Sequence, residues 1–239
     1  MGQSMRAIHD NLQAVRGRIA RAAAAAGRDP LDVTLLAVSK THPAALVERA
    51  LAAGQRAFGE NYVQEAVEKM DALAGTARAP SITDIDWHMV GPLQSNKTRL
   101  AAERFGWVHT VESGKIARRL SDQRPAGMPA LNVLIQVNVS GETSKSGVAP
   151  AEVLSLAKEI NTLARLKLRG LMAIPEPGAG VDRYRELKRL YEKLKDEFGF
   201  DTLSVGMSDD METAIAEGST MVRIGTAIFG ARQNIRSAA

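Results

Sequence analysis

One lysine, one arginine and two glycine-flanked hydroxyl segments are the residues of this chain whose types and spacing could do chemistry together. Lys40 follows the apolar run Leu35-Leu36-Ala37-Val38 and Ser39. An ammonium at the end of a buried strand is costly to desolvate, and desolvation lowers its pKa and exposes a nucleophilic amine. A Schiff-base lysine needs that environment; the plainer alternative is a lysine that snorkels to solvent. Arg223 stands inside the run Met221-Val222-Arg223-Ile224-Gly225. A buried arginine needs a partner, which is either a buried carboxylate or a ring nitrogen or oxygen of a ligand. The segment Gly206-Met207-Ser208-Asp209-Asp210-Met211-Glu212 opens a helix. Ser208, Asp209 or Asp210 can cap it, and the Ser208 hydroxyl with the following N–H groups suits an anion. The segment Gly225-Thr226-Ala227-Ile228-Phe229-Gly230 lets the backbone approach a phosphate and adds a hydroxyl donor. Ordinary capping and a tight turn are the plain reading of both. Taken together, these groups fit an aldehyde that carries a phosphate, as pyridoxal 5′-phosphate does.

Such groups need elements to bring them to one place. Eight short apolar runs are strand candidates: Val33–Val38, Arg56–Phe58, Trp87–Val90, Val108–Val111, Val133–Val139, Lys167–Ile174, Thr202–Val205 and Met221–Ile224. They are apolar or β-branched throughout, as strands buried on both faces are. Helical stretches lie between them, among them Ala44–Ala53, Val63–Leu73, Val153–Leu163, Tyr184–Phe198 and Met211–Glu217. A leading helix precedes them within residues 1–28. Met5, Ile8, Leu12, Val15 and Ile19 give it one apolar face, and it is read as a packing helix. Eight βα units predict a single (β/α)8 TIM barrel over residues 1–239. The rival doubly wound sheet announces itself with a glycine-rich first turn, and Val38-Ser39-Lys40-Thr41-His42-Pro43 has no glycine. In a barrel the functional groups gather where strands end, and phosphate binding by the last two βα loops is a recurrent feature. Closure makes strands one and eight neighbours, which brings Lys40, Arg223 and the two phosphate segments to one mouth.

Other strand ends are less specific. Asn61, after strand two, is placed to donate to a ligand oxygen. His88 in strand three is either a hydrogen-bonded core histidine or a ligand contact. Gly91-Pro92-Leu93-Gln94-Ser95-Asn96-Lys97 lacks the glycine framework of a nucleotide-triphosphate loop. Lys145, in a Gly/Ser loop after strand five, is either a second anion contact or solvated. The 4 histidines form no metal-spaced pair, and the absence of cysteine removes thiolate catalysis, disulfides and cysteine-ligated metals. The 239 residues are 45% hydrophobic and 24% charged, a soluble globular balance. No apolar run is long enough to span a membrane, and no secretory signal is visible. A net charge of +4, from 31 basic and 27 acidic residues that are interspersed, with 4% aromatic residues, argues against nucleic acid. A reducing cytosol and a monomer are expected.

The chain resembles the pyridoxal-phosphate homeostasis proteins (the YggS/PROSC type). The resemblance is carried by Leu35-Leu36-Ala37-Val38-Ser39-Lys40-Thr41, by Phe58-Gly59-Glu60-Asn61-Tyr62-Val63-Gln64-Glu65 and by His88 to Lys97. Ser144-Lys145-Ser146-Gly147, Gly170-Leu171-Met172 and Ser204 to Gly230 extend it, in order from about residue 30 to residue 232. It implies an alanine-racemase-like barrel of PLP fold type III with no second β-domain. It implies pyridoxal phosphate as a Schiff base on Lys40, with Ser208, Gly225 and Thr226 on the phosphate and Arg223 facing the pyridine nitrogen. Asn61 and His88 complete the expected cofactor-binding set. It further implies a protein that buffers vitamin B6 and delivers it to apoenzymes, and no reaction of its own. A guanidinium only donates, so a ring nitrogen facing it is unprotonated and the ring is a weaker electron sink. Racemases of this fold also need a second acid/base, commonly a tyrosine. The tyrosines here are Tyr62, Tyr184 and Tyr191; the last two fall on a surface-type helix, leaving Tyr62 as the local candidate. A PLP-dependent racemase or lyase is the alternative, and a Schiff-base aldolase on a phosphorylated sugar is a third reading. An aldolase lysine would usually sit on a middle or later strand.

Overall fold

The computed structural model describes residues 5–74, 85–142 and 146–231. Eight strands form one closed parallel barrel in the order β1 to β8. They are β1 Thr34–Val38, β2 Ala57–Glu60, β3 Asp86–Met89, β4 Trp107–Val111, β5 Leu131–Gln136, β6 Leu166–Met172, β7 Thr202–Ser204 and β8 Met221–Ile224. The helices are α1 Met5–Ala25, α2 Ala44–Ala52, α3 Val63–Ala74, α4 Thr98–Arg104, α5 Gly114–Gln123, α6 Val153–Asn161, α7 Val181–Phe198, α8 Met211–Ala216 and α9 Thr226–Phe229. The barrel expected from the apolar runs is the barrel observed, and among the described residues every strand belongs to it. Closure is between β8 and β1, with Leu36 opposite Arg223 and Ala37 opposite Ile224.

The largest departures from the expected runs are the early ends of two strands. β5 stops at Gln136 rather than Val139, and β6 at Met172 rather than Ile174. Their ladder ends where Gln136 faces Met172. Beyond it Val137 donates once more to the Met172 carbonyl at 2.8 Å and bridges Val148, and the chain then leaves the barrel although it is still apolar.

Alternation along each strand divides the side chains between two layers. Leu35, Ala37, Phe58, Trp87, Met89, Val222 and Ile224 belong to the large core shared with the helices. The barrel interior holds two smaller apolar clusters, one of Leu36, Val38, Val90 and Met221, the other of Trp107, Leu134 and Met172. The inward positions also include four polar residues, His88, His109, Ser204 and Arg223, all buried.

The apolar face of α1 is buried at Ile8, Leu12, Val15 and Ile19, as its spacing predicts; the Met5 side chain is outside the described residues. The tyrosines of α7 correct the expectation of a surface-type helix. Tyr184 and Tyr191 are 3% and 4% exposed, because they step with Leu187 and Leu194 along the face turned to the barrel. The abundance of charge on the rest of that helix hides this from the sequence. No described helix is long and apolar enough to cross a membrane.

Candidate functional site

The ends of β1 and β8, with the loops after β2 and β7, enclose a cavity of about 290 Å³. That volume is at the small end of the range for small-molecule sites. Lys40, Asn61, Ser208, Arg223, Gly225 and Thr226 all line it. His88 does not. It lines the opposite mouth with Asp86, Trp107 and Arg169. β3 begins at Asp86, so His88 sits low in the barrel, whereas Lys40 lies two residues past the end of its strand. Lys145 lies outside the described residues. His42, Ile174 and Met207 also line the cavity, and no motif singles them out.

The backbone on either side of Lys40 is fixed from behind. Ser39 points outward and donates to Glu60 Oε1 at 2.6 Å. Lys69, from α3, reaches the Ser39 carbonyl at 2.7 Å, Glu60 at 2.7 Å and Glu65 at 2.6 Å. Glu65 Oε1 accepts the Thr41 N–H at 2.6 Å. Thr41 has φ 63°, a left-handed conformation unfavourable for a β-branched residue. Strain of that kind persists only where neighbouring bonds hold it. Glu60 is fully buried, and burial pushes its carboxyl up despite Lys69. None of these partners of Ser39 and Thr41 was legible in advance. Lys69 falls on a helix whose apolar face is plain, and apart from Glu65 on the same helix its partners lie 30 and 9 residues away.

Asn61 is brought to the wall by a close approach of two loops. A Cβ on Gly91 would collide with the Asn61 backbone, so the turn after β3 needs glycine there.

Of the two kinds of partner open to Arg223, a hydrogen-bonded carboxylate is absent among the described residues. Nη1 donates to the Ser204 carbonyl at 2.7 Å and to Ser204 Oγ at 2.8 Å, and Nη2 donates to the Ala173 carbonyl at 2.9 Å. A guanidinium has five N–H donors, so these bonds leave donors for the cavity that Arg223 lines. Burial lowers its pKa to about 10, with Asp210 opposing the shift. Behind it, Ser204 Oγ lies 3.3 Å from His109 Nδ1, His109 Nε2 lies 2.9 Å from His88 Nδ1, and His88 Nε2 lies 3.2 Å from Asp86 Oδ2. The ends set the direction of this chain, since arginine only donates and an ionised aspartate only accepts. Ser204 then donates to His109 and His109 to His88, while His88 turns its own N–H toward Asp86. Burial holds His109 well below its ordinary pKa, and His88 and Arg223 add to the effect.

The segment after β7 is also tied down. Asp210, not Ser208, is the N-cap residue of α8, and its Oδ1 accepts the Met207 N–H at 2.5 Å. Its Oδ2 accepts from the Tyr184 hydroxyl at 2.6 Å. The Ser208 side chain is therefore not spent on capping and lines the cavity. Gly225 lies close to β1: a Cβ there would sit 3.0 Å from the Val38 carbonyl oxygen. The site thus combines one amine, one buried guanidinium, two hydroxyls, an amide, the His42 imidazole and the Asp209 carboxylate around a single small cavity.

The sequence matches the family described as alanine racemase, N-terminal domain, over residues 10–233. It is 58% identical over 230 residues to a pyridoxal phosphate homeostasis protein of Pseudomonas aeruginosa, covering 95% of this chain and 97% of that one. The chain belongs to this family. The protein of the same name from Escherichia coli strain K12 is 55% identical over 233 residues, covering 95% of this chain and 98% of that one. Among solved structures, PipY of Synechococcus elongatus with PLP bound is 34% identical, with a TM-score of 0.79 over 93% of this chain and 100% of that one. The same fold also occurs within longer proteins. An alanine racemase from Corynebacterium glutamicum shares the fold at 15% identity and a TM-score of 0.69, and the match spans 98% of this chain but 63% of that one.

Proposed function

We propose that this protein binds pyridoxal 5′-phosphate as a Schiff base on Lys40, and that it buffers the cofactor in the cytoplasm and delivers it to apoenzymes. The observation that carries this reading is the convergence of Lys40, Arg223, Ser208, Gly225 and Thr226 on one cavity. Pyridoxal phosphate, when bound, supplies an aldehyde for an amine and a ring that can accept electrons. Lys40 provides the amine, while the hydrogen bonds to Ser39 and Thr41 keep its backbone in place. Ser208, Gly225 and Thr226 take the phosphate, Arg223 faces the ring nitrogen, and Asn61 meets a ligand oxygen. His88 is no longer among the proposed contacts.

Retention rather than catalysis is favoured by the chemistry of Arg223. Its donors leave the ring nitrogen unprotonated and so weaken the electron sink. Tyr62 is the remaining tyrosine for a second acid/base, and it is 57% exposed. The names of the relatives from Pseudomonas aeruginosa and Escherichia coli support a homeostatic role.

The test is the visible absorption spectrum of wild type and Lys40→Ala, with and without pyridoxal phosphate and borohydride. A yellow band in wild type, bleached by borohydride and missing in the variant, is expected. A wild type that stays colourless in excess cofactor would overturn the reading. Exchange of the α-proton of alanine or serine in deuterated water separates the roles: slow or absent exchange fits a carrier, and rapid Lys40-dependent exchange establishes the racemase or lyase alternative.

A further inference from the structure

α1 does more than pack. Two of its polar side chains reach nearly the whole length of the chain to the two segments that form the phosphate end of the cavity, and one just beyond the helix reaches the far end of α8. Asn11 Nδ2 donates to the carbonyl of Ile228 in α9 at 2.8 Å. Arg18 forks onto Glu212, in the first turn of α8, at 2.8 and 3.0 Å, and Nη2 also donates to the Ser208 carbonyl at 3.0 Å. Arg28 closes the far end of α8, donating to the carbonyls of Ile215 at 2.7 Å and Ser219 at 2.8 Å. Asn11 and Arg18 are seven residues apart, two turns of helix, and so lie on one stripe. That stripe faces α9 with one residue and the Ser208 segment with the other.

A phosphate site depends on where its donors are held, because hydrogen bonds are directional and a small displacement loses them. Ser208 and Thr226 come from different βα loops, and their separation is set by whatever both loops are attached to. The barrel strands are one such attachment. α1 is another, and it holds both loops from outside the sheet. We propose that Asn11 and Arg18 are positioning residues for the phosphate group: they fix the spacing of the Ser208 and Thr226 segments without touching the ligand. This inference rests on the reading above, and it adds a function to a helix whose sequence shows only a packing face.

The distinguishing probe is a pair of ligands that share the aldehyde and ring but differ in the phosphate. Binding of pyridoxal phosphate and of pyridoxal is titrated by the visible band in wild type, Asn11→Ala, Arg18→Ala and Glu212→Gln, with the thermal midpoint of each protein measured alone. Arg18→Ala is expected to weaken pyridoxal phosphate by about five- to tenfold, the scale of a partly exposed charge-assisted contact, and Asn11→Ala by about two- to fivefold, the scale of a neutral hydrogen bond. Pyridoxal affinity should stay within about twofold, since it does not use the phosphate segments. Glu212→Gln leaves the Arg18 bond to the Ser208 carbonyl and should have a smaller effect. Should Arg18→Ala fail to fold, Asn11→Ala, at a half-buried position, decides the matter. Equal losses for both ligands, or none for either, would overturn the inference while leaving the cofactor reading intact. A wild type with no band for either ligand removes the cofactor reading, and the inference falls with it.

Discussion

His109 is fully buried among His88, Ser204 and Arg223, and its pKa lies well below the ordinary 6.5. A histidine that stays neutral when folded and titrates normally when unfolded contributes a stability that is complete above pH 6.5. It is lost as the pH falls below that value, because the unfolded state then binds a proton that the folded state refuses. By pH 5 the loss from this residue alone is bounded at about 2 kcal/mol, the limit in which the folded state takes up no proton. Urea unfolding of wild type and His109→Gln at pH 7.5 and pH 5 measures it: the variant should show the shallower decline. Equal declines would mean that another group controls the acid limb. The chain of polar contacts from Arg223 to Asp86 could not be read in advance. The types of its members are visible in the sequence, but their depth is not. A strand's start is weakly marked, and moving it by a residue or two decides whether an inward histidine such as His88 reaches the upper mouth or the lower one.

At the scale of elements, α3 holds the end of β1 through Lys69, whose ammonium is almost wholly buried between Glu60 and Glu65. Removing one member of a buried ion pair leaves the other charge uncompensated, at a cost of about 3–5 kcal/mol. Lys69→Met should therefore destabilise the protein by about 3 kcal/mol, toward the low end because Glu60 can take up a proton. The double variant Lys69→Met with Glu60→Gln should recover part of that loss in chemical denaturation. No recovery would show that the lysine acts through the Ser39 carbonyl and Glu65 rather than through Glu60. Strands and helices were legible as elements because apolar runs and helical stripes are local patterns. What α3 does for Lys40, and α1 for Ser208, was not, since each depends on a single long polar side chain meeting a group distant in sequence. The burial of Tyr184 and Tyr191 was hidden in the same way, by the charges that share their helix.

For the whole molecule, the cavity is assembled from the first, second, seventh and eighth strand ends, so a ligand there ties the two ends of the barrel together. A ligand bound only by the folded state stabilises it by an amount set by its concentration relative to Kd, about 2.7 kcal/mol at a hundredfold excess. Pyridoxal phosphate should raise the thermal midpoint of wild type in a concentration-dependent way, and Lys40→Ala should lose most of that rise. Scanning calorimetry over a range of ligand concentrations reads both. An unchanged wild-type midpoint at saturating cofactor would count against binding at the mouth. The barrel itself, and the convergence of Lys40 with Arg223, followed from counting eight apolar runs and closing them.

That closure has a consequence for the making of the protein. Lys40 is translated well before the Ser208 segment, Arg223 and Thr226, and β1 has no β8 to pair with until Met221–Ile224 has been made. A nascent chain at that stage carries the Lys40 amine without the later residues that line the cavity. On the proposed reading, tight capture of cofactor waits for β8, and colour acquired during synthesis would mark the moment at which that strand docks.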